Sequence, residues 1–388
     1  MTTRPSGLTV LATTPTADLY GSARMLLESV EGFTDRDWRV VVSLPGPGPL
    51  VDEILRRGGE VRFVPSPVLR KTYLTVRGAA RLARLTLRSA RDGTRLIREV
   101  QPDVMFVNTI TEPLWLALGR AARRPIVCHV HEGEASAPRL VRKAISWPLL
   151  VADRLVVNSR FSTRVLTDAV PRLAGRCELI YNGVPGPPVV TPPRAELSGP
   201  VRLLYVGRLS ERKGVRDAID AVSELGARGV VVELDIVGDV FPGYEEVAKD
   251  LHLRANTLGL AERVRFGGFD RDVWRHLAAA DILLVPSRVD EPFGNTAVEG
   301  ALASRPVVAS TSGGLVEAVE GMQASMAVPP ASPGAIADAV EKISQSWPSV
   351  RQAAIEDARR ASQRYAPSSY RRAMADTLER VASSPPTR

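Results

Sequence analysis

Glu291 and Glu299 stand eight positions apart in the segment EPFGNTAVE, on either side of Phe293, Gly294, Asn295 and Thr296. If a helix starts near Gly294 or Asn295, its free N–H groups lie beside both acids. Glu299 then sits about one turn into the helix, and Glu291 stays in the loop before it. The spacing excludes an i,i+4 pair and argues against a touching carboxylate dyad. Separate carboxylates beside a helix start suit a ligand rich in hydroxyls and phosphates. The competing reading is two surface acids, one near a favourable helix N-terminus.

Arg208 and Lys213 lie in GRLSERKG, bracketed by Gly207 and Gly214, with a helix expected from about Val215. Two cations beside a helix start make a diphosphate site and would neutralise a departing phosphate. The competing reading is a solvated basic turn that also holds Glu211 and Arg212. His131 ends an apolar run, IVCHVH, and shares a face with His129. A strand tip is where a ligand would sit. No third ligand is spaced to make these histidines a metal site. Gly21 and Ser22, in DLYGSAR, form a loop able to approach a phosphate, but one glycine is not a dinucleotide fingerprint. Gly268, with Gly267, Phe269 and Asp270, would wall a base pocket together with Gly238 and Asp239, although the glycines fit plain turns equally well. Asn158, Ser159, Asn182 and Gly183 read equally as cleft residues or turns.

These residues follow apolar runs that alternate with helical patterns. Strands are expected at 8–14, 39–44, 61–65, 102–108, 126–131, 153–159 and 178–184. A polar loop over 18–23 leads into a helix from about Arg24. After a proline-rich crossing at 185–200 the pattern restarts, with strands at 201–207, 230–238, 263–269, 281–286 and 305–310. Helices are expected over 215–229, 335–347 and most of 349–382. This is α/β alternation in two doubly wound units. The expected division is 1–188, 189–370, and a last helix, 371–388, that packs back on the first unit and ends in a frayed tail.

With 388 residues, 44% apolar and 24% charged, the chain fits a soluble protein of two domains. Two cysteines, Cys128 and Cys177, and four histidines exclude a disulfide framework and a cysteine- or histidine-rich metal centre. No long apolar run reads as a signal peptide or a membrane span, so a cytoplasmic protein is expected. The net charge of +8 falls entirely on the first half. There, Arg77, Arg81, Arg84, Arg88, Arg91, Arg95 and Arg98 repeat at alternating spacings of four and three, after Arg70 and Lys71. On a helix over 76–99 they share one face, where like charges repel. That cost calls for an anionic counterpart, and lipid headgroups fit better than nucleic acid. A merely solvated arginine face is the alternative.

GRLSERKG and the E-x7-E segment resemble the family-4 (GT4) retaining, nucleotide-sugar-dependent glycosyltransferases of the GT-B architecture. The likeness spans nearly the whole chain and is strongest over 201–320. It implies two Rossmann-like domains facing across a cleft, with the donor bound mostly by the second. It further implies diphosphate contacts from Arg208 and Lys213, ribose contacts from Glu299, and Glu291 facing the transferred sugar. The backbone over Phe293, Gly294, Asn295 and Thr296 would support sugar and phosphate, Gly21 would line the donor phosphate, and His131 would lie near the transferred sugar. The single-glycine loop at Gly21 departs from the double-glycine loop of many members. The expected donor is a nucleoside-diphosphate sugar, a UDP- or GDP-sugar above all, with no metal required. The acceptor would be a lipid-linked or cell-envelope glycan at the inner face of the plasma membrane. A soluble small-molecule acceptor, or a catalytically silent nucleotide-sugar-binding scaffold, is the alternative.

Overall fold

The computed structural model describes residues 7–19, 21–67, 76–133, 135–241 and 243–384, with the side chains of 76–81 excepted. Arg70, Lys71, the side chains of Arg77 and Arg81, and the tail from 385 therefore lie outside the described residues. The chain divides into two compact units, Met1–Gly183 with Pro367–Arg388, and Val184–Ala366.

The first unit runs β1 (Thr9–Thr13), α1 (Gly21–Thr34), β2 (Arg39–Leu44), α2 (Leu50–Arg56), β3 (Glu60–Phe63), α3 (Val76–Val100), β4 (Val104–Val107), α4 (Pro113–Ala121), β5 (Ile126–Val130), α5 (Arg139–Ser146), β6 (Arg154–Val157), α6 (Arg160–Ala169) and β7 (Cys177–Leu179). The second runs β8 (Val201–Val206), α7 (Val215–Ala227), β9 (Val232–Val237), α8 (Glu245–Thr257), β10 (Val264–Gly268), α9 (Val273–Ala279), β11 (Ile282–Val285), α10 (Asn295–Leu302), β12 (Val307–Ser310), α11 (Leu315–Ala318), β13 (Met326–Val328), α12 (Pro333–Gln345) and α13 (Trp347–Arg364). The last helix, α14 (Pro367–Ser383), returns to the first unit.

Both sheets are parallel, in the orders β3-β2-β1-β4-β5-β6-β7 and β10-β9-β8-β11-β12-β13. In each, the order reverses beside the first strand, between β1 and β4 and between β8 and β11. Successive crossover helices part to opposite faces at that point, which opens a crevice beyond the strands' carboxyl ends. Every residue of β1, β4, β5 and β11 is buried. Strands covered on both faces need continuous apolar runs, which is why they stand out in the sequence.

Helices α1 and α14 cover one face of the first sheet, packing Leu26, Phe33, Met374 and Leu378 on Val10 and Phe106. Helices α3, α4 and α6 and a 3₁₀ turn at Trp147–Val151 cover the other, with Leu96, Trp115, Leu149 and Leu166 on Met105 and Val157. Helix α14 is fixed to α1 by Arg371, which pairs with Glu28 at 2.7 Å and with Glu31 at 2.6 Å. Gly32 permits the approach, since a Cβ there would stand 2.7 Å from that of Arg371.

Two local expectations need correction. Helix α1 begins at Gly21, not near Arg24, so Gly21 and Ser22 form its first turn rather than a loop. Their N–H groups are still among those left without an intrahelical acceptor. Gly267 and Gly268 end strand β10, across a register shift, rather than follow it.

Candidate functional site

Each unit gathers polar residues at its strand ends. In the second unit, β8 leads through Gly207 to Arg208 and a 3₁₀ turn at Glu211–Lys213, then into α7. Gly214 makes the junction in the left-handed region, φ +68°, where a Cβ would stand 1.9 Å from the carbonyl oxygen of Pro286. Only glycine allows that close approach. The turn therefore lies against the loop after β11. Lys213 Nζ donates to Glu291 Oε1 at 2.6 Å, and Ser287 Oγ donates to the same oxygen at 2.8 Å. Two residues 78 positions apart in the chain thus meet. The Arg288 guanidinium clasps Asp217 at 2.6 and 2.7 Å, while its backbone N–H donates to the Arg212 carbonyl at 2.8 Å. The Gly314 N–H donates to the Glu291 carbonyl at 2.6 Å, which ties in the loop after β12.

Such a half-exposed ion pair adds little stability, about 0–1 kcal/mol. Its consequence is placement. An ammonium donates three hydrogen bonds, so Lys213 keeps donors for an anion while Glu291 holds it in position. Arg208 lies with its guanidinium carbon 3.5 Å from the ring centre of Phe241, a cation–π contact that sequence reading missed. Tyr205 Oη donates to the Arg208 carbonyl at 2.8 Å. Helix α10 starts at Asn295 from Gly294, whose φ is +119°. Thr296 is in its first turn, and Glu299, only 7% exposed, follows in the next. Phe293 is buried against Tyr365, ring centres 5.6 Å apart, and so anchors the loop before the helix. Gly268 accepts at its carbonyl from the Gly238 N–H at 2.7 Å, which joins the ends of β9 and β10. Asp270 accepts from the Asp272 N–H at 2.9 Å and turns to His276 Nε2 at 2.8 Å and to Arg275; the backbone donor first, then these side chains, hold its carboxyl down at about 2.

In the first unit His131 follows β5, its ring 3.9 Å from that of His129 between centres. His131 Nε2 meets Asn108 Oδ1 at 2.9 Å, and Asn108 Nδ2 donates to the carbonyl of Ser22, in the first turn of α1, at 3.0 Å. Burial pushes the imidazole down to about 3, so the ring is neutral near pH 7. Two glutamates complete the cluster. Glu132 accepts from the His131 N–H at 3.0 Å, the Ile110 N–H at 3.4 Å and the Thr109 hydroxyl. Glu112 accepts from Thr13 Oγ1 at 3.2 Å and from Ser66, and burial raises it to about 7. Asn108, Glu112 and Glu132 escaped sequence reading. Their signal was position: Asn108 and Glu112 follow β4, at the switch point, and Glu132 follows its neighbour β5. Among the described residues no group of three or more His, Cys, Asp or Glu is arranged to hold a metal ion.

The sequence profile of Glycosyltransferase Family 4 matches residues 20–185, and that of Glycosyl transferases group 1 matches residues 200–346. Together they take in both strand-end clusters. The chain belongs to the GT4-like glycosyltransferases of the GT-B architecture. The chain is similar to a glycogen synthase of Mycobacterium tuberculosis, 30% identical over 237 residues, which are 57% of this chain and 55% of that protein. The match thus spans about half the length of that relative. A second relative, the 2-deoxystreptamine glucosyltransferase of Streptomyces kanamyceticus, is 38% identical over 121 residues, 31% of this chain and 30% of that one. Among solved structures, Anabaena HepE in complex with UDP-glucose shares the fold with a TM-score of 0.79, covering 96% of this chain and all of that one at 23% identity. Among the described residues, no helix is long and apolar enough to cross a membrane.

Proposed function

We propose that the protein moves a sugar from a nucleoside-diphosphate sugar to a hydroxyl acceptor, with retention at the anomeric carbon and without a metal. The Lys213–Glu291 pair carries this reading, because it sets a directed cation beside a carboxylate at the switch-point end of the second sheet. Lys213 and Arg208 bind the diphosphate and neutralise it as it leaves. Glu291 supports the reacting sugar, Glu299 holds the ribose hydroxyls, and the α10 start over Phe293, Gly294, Asn295 and Thr296 serves sugar and phosphate. Gly268 belongs to the wall around the base. In the first unit His131 acts near the transferred sugar, and Gly21 and Ser22 supply backbone N–H groups for a phosphate. The anomeric carbon–oxygen bond to the phosphate breaks as a bond to the acceptor oxygen forms on the same face. The departing phosphate takes the hydroxyl proton.

The preferred acceptor is lipid-linked or part of a cell-envelope glycan, presented at an anionic membrane surface. Arg84, Arg88, Arg91, Arg95 and Arg98 are all exposed on α3, which supports an anionic contact there. A soluble small-molecule acceptor is the second reading, favoured by the likeness to the 2-deoxystreptamine enzyme. A thermal-shift panel of UDP-, GDP- and dTDP-sugars tests the donor site. Stabilisation by sugars of one base, weakened in Glu299→Ala, is expected. No shift with any donor would overturn the reading.

A further inference from the structure

Helix α5 buries only Ser146 and leaves its large apolar side chains outward. Leu140 is 82% exposed, Val141 and Ile145 are exposed beside it, and Trp147, just past its end, is 54% exposed. At spacings of one, four and five, Leu140, Val141 and Ile145 occupy one side of the helix. Arg139, Arg142 and Lys143 accompany them, and Lys143 Nζ lies 5.9 Å from the Trp147 ring centre. No acid occurs between Ala135 and Ala152. Core helices put such residues inward, and solvated helices do not display four large apolar side chains in eight residues.

Two observations indicate what covers this face. Helix α5 lies on the same side of the first sheet as α3, in the layer formed by α3, α4, the 3₁₀ turn and α6. The exposed arginines of α3 and the apolar stripe of α5 are therefore outer features of one layer. An exposed apolar stripe, a tryptophan, and cations without acids match the chemistry of an anionic lipid interface. A protein groove would need carboxylates to match three cations and an apolar strip to match the rest.

We infer that α5 is an interfacial anchor, which inserts Leu140, Ile145 and Trp147 among the lipids of an anionic surface while the α3 arginines lie on its headgroups. The inference builds on the proposed anionic contact of α3, and assigns to α5 the apolar insertion that a row of arginines cannot make.

The test is flotation of the full chain with phosphatidylcholine vesicles, with or without phosphatidylglycerol, at low and high salt. Wild type should float with the acidic vesicles, and Trp147 emission should move to shorter wavelength, a change absent from Trp147→Phe. The double variant Leu140→Ser/Ile145→Ser should bind about ten-fold or more weakly and lose the binding that survives high salt. It should keep the nucleotide-sugar thermal shift, so that vesicle binding and donor binding are judged separately. If the double variant floats like wild type, α5 is not an anchor and the α3 arginines act alone. If wild type fails to float at all, both surface assignments fall while the donor site stands on its own test. If the double variant turns a dimer into a monomer without changing flotation, the face is a contact between copies and the inference is overturned.

Discussion

Asn108 decides which nitrogen of His131 carries the proton. Its Nδ2 is committed to the Ser22 carbonyl, which can only accept, so its Oδ1 must face the imidazole. His131 then holds its proton on Nε2 and leaves Nδ1 as an acceptor for a hydroxyl. The unfolded ring takes a proton near 6.5 and the folded ring only near 3, so this site weakens the fold as pH falls through that interval. Replacing Asn108 by Asp sets a carboxylate against Nε2, which favours the imidazolium and raises its pKa by about 1–3 units. Imidazole NMR titration should show a wild-type His131 neutral throughout the physiological range and an Asn108→Asp ring that titrates higher. The variant's activity should accordingly fall off earlier on the acid side. A wild-type ring titrating near its ordinary 6.5 would contradict this account.

The 3₁₀ turn between β8 and α7 owes its path to Gly214. Alanine there would meet a left-handed backbone and the Pro286 carbonyl together. Strain of this kind costs about 1–3 kcal/mol, and the collision adds to it. Gly214→Ala should lower the denaturant midpoint by an amount equivalent to roughly 2–4 kcal/mol. It should also weaken nucleotide binding, because the turn carries Lys213 away from Glu291. An unchanged midpoint with unchanged affinity would mean that the turn does not approach Pro286.

The first unit is closed by a helix from the far end of the chain. Tyr370, Met374, Leu378 and Val381 of α14 are buried with Met25, Val30 and Phe33 of α1, and Tyr370 Oη lies 2.8 Å from Ser29 Oγ. At about 1.5–3 kcal/mol for each large apolar side chain, this packing is comparable to the whole stability of an ordinary domain. A chain ended at Ala366 should therefore lose hydrogen-exchange protection throughout β1 to β7. Protection across β8 to β13 should persist, because that core draws its residues from 197 to 350. Equal protection in the first unit with and without α14 would refute the assignment.

The alternation of strand and helix was legible because a parallel sheet covered on both faces demands unbroken apolar runs, and such runs are local in sequence. The α3 face was legible for a similar reason, since helical periodicity puts arginines at spacings of three and four on one side. The E-x7-E and GRLSERKG segments likewise carried their own placement, each beside a strand end. The short β13 was not legible, because Met326–Val328 is too brief to show a period. Neither was the start of α1, where Gly21 and Ser22 read as loop residues yet begin the helix. Partners were beyond reach altogether. Lys213 meets Glu291, Asn108 joins His131 to Ser22, and Arg371 finds Glu28 only after strand order and helix return have brought distant segments together. Burial leaves a pattern along the chain, whereas a hydrogen bond between loops depends on where the intervening sheet sets their ends.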